Sequence, residues 1–365
     1  MKVSVYTIAR NEEPFVERFM SCLKNEADDV YVLVDPTSTD RTVEALRDHG
    51  AIVETGLFRP WRFDTPRNAS LAMVPMTTDV CVCIDLDEVL TEGWRKGIEA
   101  AWVPGTTRLR YPYAWNHNAD GTPATKFYYD KIHQRKNYRW VKPVHEILSI
   151  YDEVEVQAWT DSFMLHHWPD LTKSRGSYLP LLELAVKEEP HDDRSCHYLG
   201  REYMYYGMFE KAIVELKRHL LLPTATWASE RAASMRFIAR SLLALGQREE
   251  AKCWAFKAVA EAPADREPLY ELAKVAYQLN DFELLFFAAT KSLTTGEIGK
   301  TYISDPDAWG YLPHDYAALS AYNLSLSMKA VEHGQQALSR AIELQESQIT
   351  IDRLKTNLSF YQARV

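Results

Sequence analysis

The sequence lacks several features that would mark a membrane or secreted protein. None of its apolar runs reaches about 18 residues, so we expect no transmembrane helix. Residues 1–6 lead directly into a strand pattern and show no apolar core of a signal peptide. The 5 cysteines are odd in number and lack the C-x-x-C spacing of zinc sites. These absences predict a cytoplasmic protein with reduced thiols.

Glycine-rich phosphate loops are also missing. Neither G-x-G-x-x-G nor G-x-x-x-x-G-K-[ST] follows any predicted strand, which argues against a dinucleotide-binding or P-loop protein. The formal net charge of -9 argues against non-specific nucleic-acid binding by the whole chain. With 46% hydrophobic residues among 365, the composition is that of a globular protein long enough for two domains.

Up to residue 105, short β-rich runs alternate with helical patterns. The β-rich runs lie at residues 3–8, 29–34, 51–54 and 80–84. A strand that is followed by a helix and then by another strand is typical of βαβ units. The pattern therefore predicts a parallel sheet in this part of the chain.

The clearest functional signal is the acidic stretch that follows the last of these runs, Asp85-Leu86-Asp87-Glu88. Residues i and i+2 of a strand share a face, so Asp85 and Asp87 are expected to converge just beyond the strand. Carboxylates in that position suit Mg²⁺, which takes waters and phosphate oxygens as its other ligands. A solvated acidic turn is the alternative interpretation.

Polar residues follow the other predicted strands as well. Ligands of open α/β sheets bind at the carboxyl ends of the strands, where these side chains are expected to line one crevice. A carboxylate there accepts hydrogen bonds from a base or ribose, and an arginine neutralises phosphate. For Asp40 we favour a helix cap. The residues of this expected crevice are Thr7, Ala9, Arg10, Glu12, Asp35, Asp40, Arg67, Asp85 and Asp87.

The motifs at residues 7–13, 34–42, 67–68 and 85–88 resemble, in order and spacing, family 2 glycosyltransferases with the GT-A fold. The resemblance covers residues 1–105. It implies a nucleotide-sugar site and a divalent cation, Mn²⁺ or Mg²⁺. Many relatives carry a second acidic residue where this sequence has Pro36, so the nucleotide stays open: UDP is favoured, and GDP or dTDP are alternatives.

The resemblance also implies roles for individual residues. The nucleotide-sugar would be bound by Thr7, Ala9, Arg10, Glu12, Asp35, Arg67 and Asp85. The metal would be bound by Asp87 and Asp85.

Residues 106–170 are predicted to form antiparallel strands on the acceptor side. Glu146 is the candidate general base, because a carboxylate in a cleft can deprotonate an acceptor hydroxyl. In relatives with a similar H-E element this segment returns to the active site, which implies a role for His145 too. His166 is a candidate third metal ligand, with a hydrogen-bonded core histidine as the alternative. One base and no evident nucleophile indicate inversion at the anomeric carbon.

From residue 171 onward, helical patterns replace the strand patterns. Residues 199–203 match the L-G-x-x-Y of a tetratricopeptide repeat (TPR), and residues 207–212 match its G-x-F-x-x-A turn. The turn recurs at Gly246 and, more loosely, at Asn280, which gives spacings of 39 (246 − 207) and 34 (280 − 246). A degenerate helix pair at residues 316–345 is expected to cap the array. Such arrays bind protein partners or mediate homo-oligomerisation.

The predicted fold is α/β: a GT-A, Rossmann-like, mostly parallel sheet domain over residues 1–170, and an all-α repeat domain over 171–365. The predicted function is sugar transfer from a nucleotide-sugar to a hydroxyl of a glycan, a protein or a hydroxymethylated DNA base. The DNA acceptor is prompted by the basic and aromatic segment 126–142. A non-catalytic repeat scaffold and a nucleotide-sugar hydrolase or pyrophosphorylase are the alternatives.

Overall fold

The computed structural model describes residues 1–118, 120–170, 176, 178–297 and 301–365. The chain divides into two compact units, Met1–Ala185 and Val186–Val365. The first is a mixed α/β sheet unit and the second is a helical, TPR-like repeat unit. The domain boundary expected from the sequence, between residues 170 and 171, falls before this division.

The sheet unit alternates strands and helices in its first half and is rich in strands in its second. Its strands are Val3–Ala9 (β1), Asp29–Val34 (β2), Ile52–Thr55 (β3), Val80–Cys83 (β4), Glu88–Leu90 (β5), Arg108–His117 (β6), Pro123–Gln134 (β7), Tyr138–Val141 (β8), Ile147–Ile150 (β9), Gln157–Trp159 (β10) and Leu165–His167 (β11). Its helices are Glu13–Leu23 (α1), Thr42–Asp48 (α2), Asp64–Met73 (α3), Trp94–Ala101 (α4) and Tyr178–Glu188 (α5), the last of which runs across the division.

Within the described residues, nine strands form one sheet in the order β3-β2-β1-β4-β7-β6-β11-β5, with β10 beside β6. Strands β3, β2, β1 and β4 are parallel, as the βαβ pattern predicts. Strand β7 runs antiparallel to both β4 and β6. The carboxyl ends of β1, β2 and β4 therefore lie side by side at one edge of the sheet.

Both faces of the sheet are buried. Successive side chains of β1 point alternately into two apolar layers, one on each face. Val3 and Val5 pack with helix α1, which buries Val16, Phe19, Met20 and Leu23 at helical spacing. Tyr6 points to the opposite layer, which contains Tyr138 and Trp140 of β8. Two-sided burial explains why these strands read as continuous apolar runs.

Two boundaries differ from the expected ones. Helix α3 begins at Asp64, three residues before Arg67, where the motif 67–68 predicts a helix start. Pro66 is compatible with this earlier start, since the first turn of a helix needs no backbone N–H from it. Strand β4 ends at Cys83, one residue before the end of the apolar run.

The repeat unit consists of antiparallel helix pairs. Its helices are Asp193–Tyr205 (α6), Phe209–Leu221 (α7), Ala228–Ala244 (α8), Arg248–Glu261 (α9), Arg266–Leu279 (α10), Phe282–Leu293 (α11), Leu312–Asn323 (α12), Ser327–Glu343 (α13) and Gln348–Gln362 (α14). The helix pair expected at residues 316–345 corresponds to α12 and α13, and α14 follows it.

The predicted TPR turns lie between paired helices. Gly207, Gly246 and Asn280 all adopt positive φ (72°, 75° and 55°), which glycine and asparagine tolerate best. Gly200 sits where α6 approaches α7: a Cβ there would lie 2.6 Å from the Cγ of Leu216. None of the helices in the described ranges is long and apolar enough to cross a membrane.

Candidate functional site

The acidic stretch after β4 forms a tight turn at the carboxyl edge of the sheet. The backbone N–H of Glu88 donates to the carbonyl of Asp85 (2.9 Å), and the N–H of Asp85 donates to Glu88 Oε2 (2.8 Å). Because the chain turns here, strand alternation no longer applies, and Asp85 and Asp87 contact different partners. Asp85, Asp87 and His166 do not form a group of three ligand atoms within 4.8 Å of one another in the described residues. A shared ion between Asp85 and Asp87 stays a prediction.

Asp85 belongs to a group of charges around a buried arginine, which we call the Arg67 cluster: Arg67, Lys131, Asp85, Glu88 and Glu146. Arg67 is 3% exposed. Its Nη2 lies 2.6 Å from Asp85 Oδ1, and its Nε donates to Glu146 Oε1 at 3.1 Å. Lys131 Nζ lies 3.3 Å from Asp85 Oδ2. Arg67 thus joins the first acidic residue of the turn to the candidate base.

The Arg67 cluster is strongly polarised. Burial opposes the charge of Asp85, but Arg67 and Lys131 outweigh it and hold the pKa of Asp85 well below its usual range. Burial likewise opposes the charge of Lys131, yet Asp85 raises the pKa of Lys131 well above normal. For Glu88, burial dominates and raises the pKa. Asp85 and Lys131 therefore stay charged around neutral pH.

Asp87 faces a different neighbour, His167 of β11. Asp87 Oδ2 lies 3.4 Å from His167 Nε2, and a quarter of the Asp87 side chain is exposed. Burial opposes protonation of this imidazole, but the hydrogen bond and charge of Asp87 prevail and raise the pKa of His167. Since successive side chains of a strand point to opposite faces, His166 turns away and contacts His117 (2.8 Å between ring nitrogens). His167, not His166, lies beside Asp87.

Aromatic rings surround these polar groups. Tyr113 stacks on Tyr129 with ring centroids 4.5 Å apart, and the Tyr113 hydroxyl donates to Glu88 Oε1 at 2.8 Å. Trp115 lies 4.7 Å from the ring of His167. The second half of the unit thus adds an aromatic wall beside the acidic turn.

Asp35 forms a separate polar position directly after β2. It is 4% exposed, and its Oδ1 accepts hydrogen bonds from the N–H and hydroxyl of Thr37, both at 2.8 Å. No donor in the described part of the chain bonds to Oδ2; Arg59 Nη1 is 3.8 Å away. Burial opposes ionisation, but Thr37, Arg10 and Arg59 lower the pKa of Asp35. Asp35 is thus a buried carboxylate with one oxygen available to a ligand.

Thr7 and Ala9 lie on β1, next to this position. The backbone N–H of Asp35 donates to the carbonyl of Ala9 at 2.9 Å, so Ala9 lies directly beside Asp35. Thr7 is fully buried within the strand, and its hydroxyl contacts the carbonyl of Ile8 at 3.4 Å. Of the two, only Ala9 adjoins Asp35 through a direct contact.

Arg10 and Glu12 belong to the loop that follows β1. Arg10 is exposed, and Glu12 donates its N–H to the hydroxyl of Thr42 at 2.8 Å. Asp40 accepts hydrogen bonds from the N–H groups of Glu13 (3.0 Å) and Thr42 (3.1 Å). Asp40 therefore binds the first N–H groups of α1 and α2 from outside the N-cap positions, which are Glu12 and Arg41, and fixes the loop that carries Arg10.

His145 precedes Glu146 in a left-handed backbone conformation (φ 49°), which is uncommon for a residue with a side chain. Its ring lies 5.7 Å from that of Tyr178. This bend directs Glu146 towards Arg67, whereas His145 faces away from it towards α5. Sequence reasoning missed Lys131 and Glu88 as members of the cluster, although Glu88 completes the acidic motif.

No family model matches the chain. A TPR repeat-containing protein of Synechococcus elongatus is 25% identical over 238 residues, which cover 60% of this chain and 56% of that protein. An uncharacterized glycosyltransferase of Rickettsia bellii is 35% identical over 98 residues, which cover 27% of this chain and 32% of that protein. The chain thus matches 56% and 32% of the lengths of these curated relatives.

Two solved structures share the helical repeats. The crystal structure of MamA is 16% identical with a TM-score of 0.38, covering 48% of this chain and 97% of that one. The TPR-like repeats of a Podosopora anserina putative kinesin light chain are 19% identical with a TM-score of 0.38, covering 48% and 87%. Likenesses at such TM-scores carry no argument about function.

Proposed function

We propose that this chain transfers a sugar from a nucleotide-sugar to an acceptor hydroxyl. The observation that carries the proposal is the Arg67 cluster at the carboxyl edge of the parallel strands, where Arg67 contacts both Asp85 (2.6 Å) and Glu146 (3.1 Å). Parallel sheets bind their ligands at this edge. The glycosyltransferase relative of Rickettsia bellii supports the same class.

The donor nucleotide would lie against Asp35. Its Oδ2 is buried and lacks a hydrogen-bond donor in the described residues, and a base N–H would satisfy it. Arg10 and the half-exposed Arg59 stand beside Asp35 as partners for phosphate. UDP remains the favoured nucleotide, with GDP and dTDP as alternatives.

A divalent cation, Mn²⁺ or Mg²⁺, fits this edge only in part. Asp85 is already neutralised by two cations, which leaves Asp87 with His167 at 3.4 Å as the available pair. These ions need only one or two protein carboxylates when phosphate oxygens and waters complete their shell. When bound, the cation would neutralise charge on the departing diphosphate.

Glu146 would act as the general base. Its carboxylate removes the proton of the acceptor hydroxyl while that oxygen attacks the anomeric carbon. The bond between the anomeric carbon and the diphosphate oxygen breaks, and the electron pair leaves with the nucleotide. Arg67 holds Glu146 in place through the Nε contact. A single displacement inverts the anomeric centre, which NMR of the product linkage would test.

The first experiment is calorimetric binding of UDP, GDP, dTDP and CMP, with and without Mn²⁺, to the wild type and to Asp87→Ala. We expect one nucleotide to bind tightly in a manner that needs both Mn²⁺ and Asp87. That result would identify the donor class and allow acceptors to be screened with the matching sugars. Absence of binding by every nucleotide would overturn the transferase proposal.

A non-catalytic scaffold is the second candidate, and the TPR-repeat relative favours it. That match covers 60% of this chain, whereas residues 186–365 make up about half of it, so the match extends into the sheet unit. The similarity to a protein named for its repeats therefore includes residues before residue 186. Nucleotide binding by the sheet unit would decide for the transferase.

The proposal includes more than one class of acceptor. The repeat unit suits a protein or glycan acceptor, since repeat arrays offer extended binding surfaces. A modified DNA acceptor would show affinity that falls steeply with salt, because phosphate contacts release counterions. Comparing acceptor binding at low and high salt distinguishes these classes.

A further inference from the structure

A cluster of ligand-type side chains lies inside the repeat unit, in helices that the proposed transfer reaction does not use. Asp193 lies in the first turn of α6, His219 in the last turn of α7 and Glu230 in the first turn of α8. One ligand atom from each residue lies within 4.8 Å of the others. Among the described residues, Asp193, His219 and Glu230 form the group in which three potential metal ligands come this close together. His219 is fully buried and Glu230 is 5% exposed.

His219 carries a buried nitrogen without a hydrogen bond. Its Nε2 lies 3.3 Å from Glu230 Oε1, yet it forms no hydrogen bond with any described group. Burying a polar atom unpaired is costly, so such an atom calls for a partner. Two ligands of a tetrahedral Zn²⁺, each about 2.0–2.1 Å from the ion, lie about 3.3 Å apart. The observed spacing is that of two neighbouring ligands around one ion.

The other nitrogen of His219 is held by a hydroxyl. Its Nδ1 lies 2.9 Å from Ser234 Oγ, which lies 2.8 Å from His197 Nδ1. This contact orients the imidazole, so Nε2 is the ring nitrogen that faces Glu230. Metal-binding histidines are oriented in this way.

We propose that Asp193, His219 and Glu230 bind a divalent transition-metal ion, with Zn²⁺ as the first candidate. Imidazole and carboxylate together are ordinary zinc ligands. The hydroxyl of Tyr302 contacts Glu230 Oε2, which leaves Oε1 for the ion. The ion would tie α6, α7 and α8 together at the start of the repeat array. This site is separate from the carboxyl edge of the sheet and does not depend on sugar transfer.

The test is calorimetric titration of the chelator-treated full chain with ZnCl₂. We expect one site per chain that persists in Asp87→Ala, which removes the sheet unit's own metal ligand. His219→Gln and Glu230→Gln should each weaken Zn²⁺ by at least about 100-fold, more than loss of an outer hydrogen bond. His314→Gln is the matched control, because His314 is a partly buried histidine of the same unit that pairs with His333.

Two further readouts keep the proposal falsifiable if a ligand variant misfolds. Circular dichroism reports whether each variant retains its helices. Ser234→Ala leaves all three ligands in place and should weaken Zn²⁺ about 10- to 100-fold by freeing the imidazole. No zinc site in Asp87→Ala, or equal affinity in folded Glu230→Gln and in the wild type, would overturn the proposal.

Discussion

The two units build their polar clusters in opposite ways. In the sheet unit, the Arg67 cluster gathers at the ends of strands, where the parallel topology forces them together. In the repeat unit, α6, α7 and α8 each contribute one side chain to Asp193–His219–Glu230, and none of the three belongs to a repeat motif. A sheet edge therefore concentrates function by topology, whereas a repeat array does so by side-chain register between helices.

The clusters also differ in how their charges are satisfied. In the sheet cluster, Arg67 and Lys131 both pair with Asp85, and Arg67 also pairs with Glu146. The repeat cluster leaves His219 Nε2 without a hydrogen bond. The first arrangement suits a site that positions reactants, and the second suits a site that awaits an ion.

Of the changes in the sheet unit, Glu146→Gln should have the largest effect on catalysis. Loss of a general base lowers kcat about 10²- to 10⁴-fold, while the amide keeps the shape of the side chain and so preserves nucleotide binding. Transfer rates with the donor identified by calorimetry provide the measurement. Glu153→Gln, an exposed change in the same segment, is the control. Wild-type turnover in Glu146→Gln would remove Glu146 from the mechanism.

Asp35→Asn should separate the nucleotide position from the Arg67 cluster. A buried hydrogen bond to a charged group contributes roughly 1.5–3 kcal/mol, so we expect nucleotide affinity to fall about 10- to 100-fold. Asp48→Asn, an exposed change at the end of α2, is the control and should leave both affinity and stability within about 0.5 kcal/mol of the wild type. If both variants lose affinity equally, Asp35 is structural rather than a ligand.

Sequence reasoning predicted the features that depend on local pattern. The alternation of β-rich runs with helical patterns predicted the parallel half of the sheet. The turn residues Gly207 and Gly246 predicted the helix pairs on either side of them. Asp40 accepts the N–H of Thr42 at the start of α2, one residue before the N-cap Arg41. These features depend on residues close in sequence, whose preferences are set by backbone conformation.

The remaining features depend on contacts between distant residues. Arg67 meets Glu146 across 79 positions, and neither position has a periodicity that links them. His167 rather than His166 lies beside Asp87 because of the register in which β11 pairs with β5. That register cannot be read from the two adjacent histidines in the sequence. The repeat-unit cluster was missed for the same reason.

Two glycines offer a matched test of packing in the two units. A Cβ on Gly97 would lie 2.6 Å from Phe163 Cδ1 in the sheet unit, and one on Gly200 would lie 2.6 Å from Leu216 Cγ in the repeat unit. Both neighbours are buried, so Gly97→Ala and Gly200→Ala should each cost about 1–3 kcal/mol of stability through overpacking.

Hydrogen exchange resolved by segment would show which unit each variant destabilises. We expect faster exchange in α4 for Gly97→Ala and in α6 and α7 for Gly200→Ala. The exposed changes Lys96→Ala and Glu210→Ala should stay within about 0.5 kcal/mol of the wild type. An effect that spreads equally over both units would mean that they unfold as one.

The last expected effect is an acid-dependent loss of stability in the sheet unit, and it originates at His133. Burial lowers the pKa of His133 to about 3. The unfolded chain, with a histidine pKa of about 6.5, therefore binds more protons as the pH falls, and stability that is full above that pH is lost below it. Between pH 7 and pH 5 this amounts to about 2 kcal/mol at 1.36 kcal/mol per pKa unit.

The hydrogen bonds around His133 explain this loss of stability. The hydroxyl of Tyr6 lies 2.8 Å from His133 Nε2 and also accepts the indole N–H of Trp140 at 2.8 Å, so its own proton is directed at the imidazole. Protonated His133 would place a second donor against that hydroxyl. His133→Gln should flatten the pH dependence of the unfolding free energy between pH 7 and 5, as measured by denaturant titration. A slope that survives the substitution cannot come from Asp85, whose lowered pKa removes stability only below about pH 4, and would assign the acid sensitivity to other histidines, such as those of the repeat unit.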